Sequence, residues 1–302
     1  WEDVKFHDGT PFNHLHPNYN DRTAIVRSHK PVSIKKGIFL VRLGSFNWYH
    51  WLIEILPKAS LIDLLPAELR NYPLLVPPEF AKYMTYRQAL ETLELTNEVI
   101  ILQPKQLYRL DRVVFVDPLS ITPFNMRPGF WPELSDNAFY AEILLDFRNR
   151  VLAALDLPAR TSKRRIFLAR SNVRRDYNQK AIIDMLAPLG IETVYTDKLH
   201  FRAQVQLLRD AELIIGPSGA AWANLLFSQE GTRCITWIFP EYSGLACYSN
   251  LAEAVGAHLG SLFFQAKSPP SSSDDLYSAS YDVDLTKLRE TVQQAIDDLS
   301  HF

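Results

Sequence analysis

The chain has 302 residues, 47% hydrophobic and 22% charged, with a formal net charge of −2 at pH 7. This composition fits a globular protein with room for two domains of ordinary size, and it carries no global basic field of the kind that holds nucleic acid. Cys234 and Cys247 are the only cysteines, which excludes a disulfide framework and a zinc site of the CxxC type. No apolar run reaches the roughly 18 residues of a membrane-spanning helix. Nor does an Asn-x-Ser/Thr acceptor occur, and together these features point to a reducing, cytoplasmic setting. The first residue is Trp1 rather than Met, so a missing N-terminal piece, such as a targeting segment, belongs to the expectation.

Residues 1–35 are polar and rich in His, Asn and Pro. "GIFLVRL" (Gly37–Leu43) reads as a strand and "NWYHWLIEILPKASLIDLL" (Asn47–Leu65) as a helix. A short strand follows at Tyr72–Pro77, a helix at Met84–Leu95, and strands at Glu98–Leu102 and Arg112–Asp117. Pro123–Pro132 is a Pro-rich loop, and Ser135–Leu155 a long helix. After the basic linker Ala159–Arg165 the alternation restarts. Strands are expected at Arg165–Ser171, Ile191–Thr196, Glu212–Gly216 and Thr232–Phe239. Helices are expected at Gln179–Gly190, Phe201–Ala211, Ala220–Phe227 and Tyr248–Ala257. Alternating strands and helices argue for parallel sheets flanked by helices. "KSPPSSSDD" (Lys267–Asp275) is a linker, and Val283–Leu299 an amphipathic helix with Leu285, Leu288, Val292 and Ile296 on one stripe. The reading is an α/β protein of two Rossmann-like domains facing across a cleft: 1–160 on the acceptor side, 161–266 binding a nucleotide, and 267–302 as linker and last helix.

In the second half, Arg170 closes a strand, Arg174 and Arg175 follow it, and Gly216-Pro217-Ser218-Gly219 is a tight turn leading from a strand into a helix. Ligands of open α/β sheets bind at the carboxyl ends of the strands. An arginine fork beside a helix N-terminus there suits a diphosphate; the bland account of the arginines is solvated loop charge. Ser218 also fits a relaxed nucleophile elbow, with His258 downstream and Glu230 or Glu241 as the acid. The strict G-x-S-x-G fails at Ala220, and a serine before a helix is most often its cap. In the first half, Asn47, His50 and Glu54 fall on one helix face opposite Trp48, Trp51, Leu52 and Ile55. His and Glu in a cleft are the usual acceptors of a hydroxyl proton; the bland account pairs Glu54 with Lys58 on a solvated face. His7, His14 and His16 lack a carboxylate in ligand spacing. Asp282-Val283-Asp284 resembles a metal-binding DxD, but Asp284 precedes a helix and reads better as its cap. Tyr195 and Asp197 follow a strand end, and Arg127 lies in the Pro-rich loop, in reach of an acceptor or cleft.

Three segments taken together, "FNWYHWLIEILPK", "RIFLARSNVRRDYNQ" and "AQVQLLRDAELIIGPSGAAWANLLFSQEGTRCITW", resemble glycosyltransferase family 61, of the type found in capsular polysaccharide biosynthesis, in the family's own motif order and from about Gly37 to Trp237. The resemblance implies a GT-B-like fold whose C-terminal helix crosses back to the first domain. It further implies an inverting transfer from a nucleotide-sugar, a UDP-sugar being one candidate, with no metal or other cofactor. The acceptor would be a glycan or lipid-linked glycan, which implies peripheral association with the inner face of the membrane. By the same resemblance Arg170, Arg175, Gly216, Ser218, Gly219 and Ala220 bind the donor, Asn224 braces the turn, and Glu54 or His50 is the base. This chain departs from the family at Ser218, where a histidine is usual, at Ala221, usually glycine, and at Ser228-Gln229-Glu230, usually proline-rich. A serine can donate a hydrogen bond to phosphate but carries no charge. Glu230 is a candidate for a ribose hydroxyl. The rival expectations are a serine hydrolase using Ser218 and a non-catalytic nucleotide-sugar or glycan-binding module.

Overall fold

The computed structural model describes residues 15–17, 24–26, 30–42, 44–104, 106–122, 132–160, 163–171, 176–267 and 279–300. Strands β1 (Leu15–Pro17) and β2 (Ala24–Val26) pair antiparallel. Then β3 (Val32–Phe39), β4 (Leu74–Val76), β5 (Val99–Ile101) and β6 (Tyr108–Phe115) form a parallel sheet in the order β5-β4-β3-β6. A short antiparallel pair, β7 (Ser120–Ile121) and β8 (Ala138–Phe139), leads into the helix Ala141–Leu155. The second sheet contains β9 (Arg164–Leu168), β10 (Glu192–Val194), β11 (Ala211–Pro217), β12 (Arg233–Ile238) and β13 (His258–Phe263). It too is fully parallel, in the order β10-β9-β11-β12-β13.

These orders carry functional information. The first strand of each sheet has its sequence successor on one side and a later strand on the other. In the first sheet β3 lies between β4 and β6; in the second, β9 lies between β10 and β11. Such a reversal opens a crevice at the carboxyl ends of the two flanking strands, the place where doubly wound sheets bind ligands. The protein therefore has two crevices of this kind, one at β3/β6 and one at β9/β11.

The innermost strands are apolar, as a sheet covered on both faces requires; β4 is buried throughout, as are all seven residues of β11. Gly37 and Gly216 allow close approach between strands. A Cβ at Gly37 would lie 2.6 Å from Leu75 Cγ, and one at Gly216 would lie 2.9 Å from Leu168 Cβ. One core cluster runs from Ile38 and Leu52 through Phe147 to Ile166, Phe201 and Leu226, so the two sheets share packing. Helix Ala141–Leu155 takes part through Leu144, Phe147 and Val151, and it touches elements of both halves. Among the described residues no helix is long and apolar enough to cross a membrane.

Several elements differ from expectation. The segment after Asn47 is not one α-helix. His50–Ile55 is a π-helical turn, Leu56–Ala59 an α-helical turn, and Ile62–Leu64 a 3₁₀ turn. Pro57 has no N–H to donate and its ring crowds the carbonyl four residues back, so the ladder widens just before it. Ala220–Phe227 is wound as a 3₁₀ helix, buried all round from Trp222 to Phe227. The helix expected from Ser135 begins at Ala141, behind a 3₁₀ turn at Leu134–Asp136 and β8. Strand β13 had no counterpart in the sequence reading. The C-terminal helix Leu285–Ser300 does not run to the first sheet. Its buried Leu288 and Val292 join the second core cluster with Phe167, Ile215, Trp237 and Tyr281, against helix Gln179–Leu186. Its apolar stripe is satisfied there, leaving no hydrophobic surface to carry across. Leu288→Ala should lower the unfolding free energy by about 2–5 kcal/mol, the cost of a large-to-small change in a closed core. Denaturant melts with a change below ~1 kcal/mol would show that this helix is dispensable.

Candidate functional site

The first crevice holds a buried charge cluster. Arg42 follows β3 and its Nη1 lies 2.5 Å from Glu54 Oε2. His50 Nδ1 shares a short hydrogen bond with the same oxygen, from one turn earlier on the π-helical segment. Such wide turns are rare and recur at functional sites. Glu54 has no solvent exposure, whereas His50 keeps 5%. Glu54 Oε1 finds no partner among the described residues, nor does the neighbouring buried Ser120 Oγ. Arg42 Nη1 also approaches Ser120 O at 3.4 Å, and Lys58 Nζ donates to Val116 O at 3.0 Å; both carbonyls follow β6. Lys58 is held below the usual lysine range, by burial first and then by the Arg42 charge. Burial pushes the Tyr49 phenol well up, and its hydroxyl donates to Cys247 O at 3.0 Å. Burial likewise raises the Cys247 thiol.

The polar stripe expected of Asn47, His50 and Glu54 is thus only partly realised. Asn47 Oδ1 accepts from Tyr49 N at 2.8 Å, so Asn47 starts the helical segment. Glu54 points inward and does not line an open cleft, and its cationic partner is Arg42 rather than Lys58. Sequence reasoning passed over Arg42. Its position just beyond the carboxyl end of a strand, the signal used for Arg170, marks it equally well.

The second crevice holds the other two motifs. Arg170, beyond β9, donates from Nη2 to Ser218 O in the turn after β11. Gln179 grips the Arg170 backbone from both sides, accepting from Arg170 N at 2.8 Å and donating to Arg170 O at 3.0 Å. Gly219 lies against the guanidinium, where a Cβ would come within 2.9 Å of Nη2. Trp222 N donates to Gly219 O at 3.1 Å, opening the 3₁₀ helix. The N–H groups of Ala220 and Ala221 precede the first intrahelical donor and face the helix entrance. Tyr195 and Asp197 follow β10 at this same edge, Asp197 accepting from Ser171 Oγ. Gly216 itself is buried in β11 and serves strand packing.

A part-buried hydrogen bond joins the segments that carry the two crevices. Trp48 Nε1 donates to Asn224 Oδ1 at 3.2 Å, and Asn224 Nδ2 donates to Ala221 O at 3.2 Å. The brace expected of Asn224 is therefore also a bridge to the His50 segment. Segments far apart in the chain are thus held together: Trp48, two residues before His50, reaches Asn224, and Arg170 reaches Ser218.

With this geometry in view, the family model for glycosyltransferase 61 matches residues 48–235, more than half of the chain and reaching into all three motifs. The chain belongs to the glycosyltransferase 61 family. As a member of that family it is a glycosyltransferase, with a sugar donor and a glycan acceptor in general terms. No curated protein matches the chain.

For this glycosyltransferase the remaining sequence candidates fall as follows. Arg127, Arg174, Arg175, His7 and His14 lie outside the described residues, and His16 falls in β1, whose side chains are not described. The serine-hydrolase pairing fails on topology. Ser218 follows the carboxyl end of β11, while His258 opens β13 at the opposite edge of the same parallel sheet, in register with Arg233. About five residues at ~3.3 Å each separate the two levels. Glu230 shares that far edge, beside Gly256, so it cannot serve a ribose at the Arg170 edge. The DxD pair is structural: Asp284 Oδ1 accepts from Thr286 N and Lys287 N at 2.9 and 3.1 Å, and Asp282 pairs with Lys267 at 3.1 Å. Among the described residues no three His, Cys, Asp or Glu side chains converge as metal ligands. Removing Asn224 tests the bridge. Asn224→Ala should cost about 1–3 kcal/mol, and Trp48→Phe should add less in the double variant than it costs alone. Full additivity in denaturant melts would mean the two side chains are not coupled.

Proposed function

We propose that the protein is an inverting, GT-B-like glycosyltransferase that moves a sugar from a nucleotide-sugar to a hydroxyl of a cell-surface or capsular glycan. In this reading the β9/β11 crevice takes the donor phosphates and the β3/β6 crevice activates the acceptor. The single observation that carries it is the hydrogen bond from Trp48, two residues before His50, to Asn224 in the helix that opens at the Gly219 turn. It supports a reaction in which one group works on the acceptor while another works on the leaving group.

His50 is the better base of the two candidates. Its Nδ1 is engaged by Glu54, a carboxylate with no exposure of its own, which holds the imidazole in one orientation at the crevice. The acceptor hydroxyl gives its proton to the His50 imidazole as its oxygen bonds to the anomeric carbon. The bond from that carbon to the phosphate oxygen breaks on the opposite face, which inverts the centre in one displacement. The charge gathering on the departing phosphate is met by Arg170 and by the N–H groups of Ala220 and Ala221. In the free protein the Arg170 guanidinium rests on Ser218 O and would exchange that neutral acceptor for phosphate oxygens. The reading calls on no metal ion, and the base of the nucleotide is left to experiment, UDP being the first trial.

Calorimetric titration with UDP, GDP and CMP should give tight binding of one nucleotide, and Arg170→Ala should weaken it at least ~10-fold, the loss of a charge-assisted contact. No binding by any of the three would remove the donor site from this crevice. His50→Gln should cut turnover by about 10²–10⁴-fold with nucleotide affinity unchanged, the range for loss of a general base. Normal turnover by His50→Gln would overturn the base assignment, leaving the nucleotide site untouched.

A further inference from the structure

We propose that residues 279–284 form a strap that positions Arg170 and the Ser218 turn for the donor phosphates, with Asn178 and Tyr281 as the positioning residues that connect the strap to them. The proposal deepens the reading of the β9/β11 crevice as the donor site, and rests on it.

Arg170 lies two residues beyond β9. Just before it, Ala169 N still donates to Val194 O at 2.9 Å. At Arg170 the Gln179 side chain takes over, its Oε1 accepting from Arg170 N and its Nε2 donating to Arg170 O. Asn and Gln carry an amide, so one such side chain can pair with both backbone groups of a single residue, as a neighbouring strand would. Asn178 repeats the device on the other side. Its Oδ1 accepts from Val283 N and its Nδ2 donates to Val283 O, both at 2.9 Å. Asn178 stands at the N-cap of helix Gln179–Leu186, where an asparagine ordinarily accepts from the helix's own N–H groups. Its side chain makes no such bond and is committed to Val283 instead. Two consecutive amides therefore link the strap to the Arg170 backbone.

Tyr281, 1% exposed, supplies a second connection. Its ring stacks on Tyr177 with centroids 5.3 Å apart, and the Tyr177 hydroxyl donates to Gln179 Oε1 at 2.5 Å. Burial raises the Tyr177 phenol above its ordinary range, so this donor keeps its hydrogen. The Tyr281 hydroxyl accepts from Trp237 Nε1 at 3.2 Å, and Trp237 O accepts from Ser218 N at 3.2 Å. One side chain of the strap thus reaches both members of the Arg170–Ser218 pair, the first through Tyr177 and Gln179 and the second through Trp237. The strap is itself anchored. Ser280 O accepts from Lys267 N at 2.9 Å, Tyr281 N donates to Asp176 O at 3.0 Å, and Asp284 caps the helix that buries Leu288 and Val292. A guanidinium whose backbone is fixed in advance loses less freedom when it meets phosphate, and a donor aimed beforehand needs no reorganisation during the reaction.

Two measurements on the full-length chain test the strap. The first uses the protein alone. Amide hydrogen exchange read by NMR should show Arg170 N–H exchanging at least ~10-fold faster in Asn178→Ala than in wild type, relative to Ile214 N–H of the buried β11, which reports global opening. Tyr281→Phe should do the same at Ser218 N–H. Unchanged relative exchange in folded Asn178→Ala would overturn the proposal. Should that variant not fold, Asn178→Ser serves in its place, since serine restores an ordinary cap but is too short to pair with both groups of Val283. The second measurement titrates UDP, GDP and CMP. Asn178→Ala should weaken the nucleotide that wild type binds by about 5-fold or more, with no further loss when Arg170→Ala is already present, because a strap acting through Arg170 then has nothing to act on. Equal losses in the two backgrounds would reduce Asn178 to a general structural role and overturn the proposal. No binding by wild type would remove the donor site and the strap's positioning role with it, while the exchange result stands on the protein alone.

Discussion

The buried 3₁₀ helix Ala220–Phe227 is the constraint on which the rest of the site depends. Its first turn closes the β9/β11 crevice, and its Asn224 amide reaches Trp48 of the segment that closes the other. An amide with no exposure must find partners for both of its ends, and here one end is met within the helix and the other across the chain. The side chain therefore fixes a distance between two sheets that share no strand. Helix Ala141–Leu155 reinforces this from outside, packing Leu144 and Phe147 into the same cluster. A site split between two sheets gains precision from such a shared buried element, since a displacement of either side has to break it.

The two crevices divide charge in complementary ways. At β9/β11 the groups offered are donors: a guanidinium and backbone N–H groups at a helix entrance. At β3/β6 a carboxylate lies at the bottom, with an arginine and a histidine above it. Anionic leaving groups belong with the first arrangement and proton transfer with the second. Ser218 carries no charge of its own, and Arg170 is the cation that contacts its carbonyl, which makes the Gln179 grip on the Arg170 backbone more consequential.

The alternation of strands and helices was legible because short apolar runs bounded by Gly and Pro are strong local signals, as "ELIIGPSG" shows for β11. The three motifs were legible for the same reason: Arg170 and Gly219 stand at strand ends. Strand order was not, because it depends on pairings between segments with no local trace, and the order is what removes His258 from Ser218. Helix winding was also hidden. Ala, Leu and Trp serve an α-helix or a 3₁₀ helix equally well, and packing chose the latter for Ala220–Phe227. The partner of Glu54 was not legible, because Arg42 lies 12 residues earlier, beyond the end of β3, and reaches Glu54 only in the folded chain. The C-terminal helix was placed by resemblance on the first sheet, and its own apolar stripe kept it on the second.

The bond between Trp48 and Asn224 spans 176 positions of the chain. On the ribosome, where roughly 5–20 residues are added each second, Trp48 emerges about 10–35 s before its partner exists. During that interval the aromatic surface of Trp48, Trp51 and Tyr86, stacked and tilted together in the finished protein, lacks the cover of Phe201 and Leu226. The first sheet thus carries uncovered apolar surface for much of its synthesis, of the kind that makes partly made chains prone to aggregate.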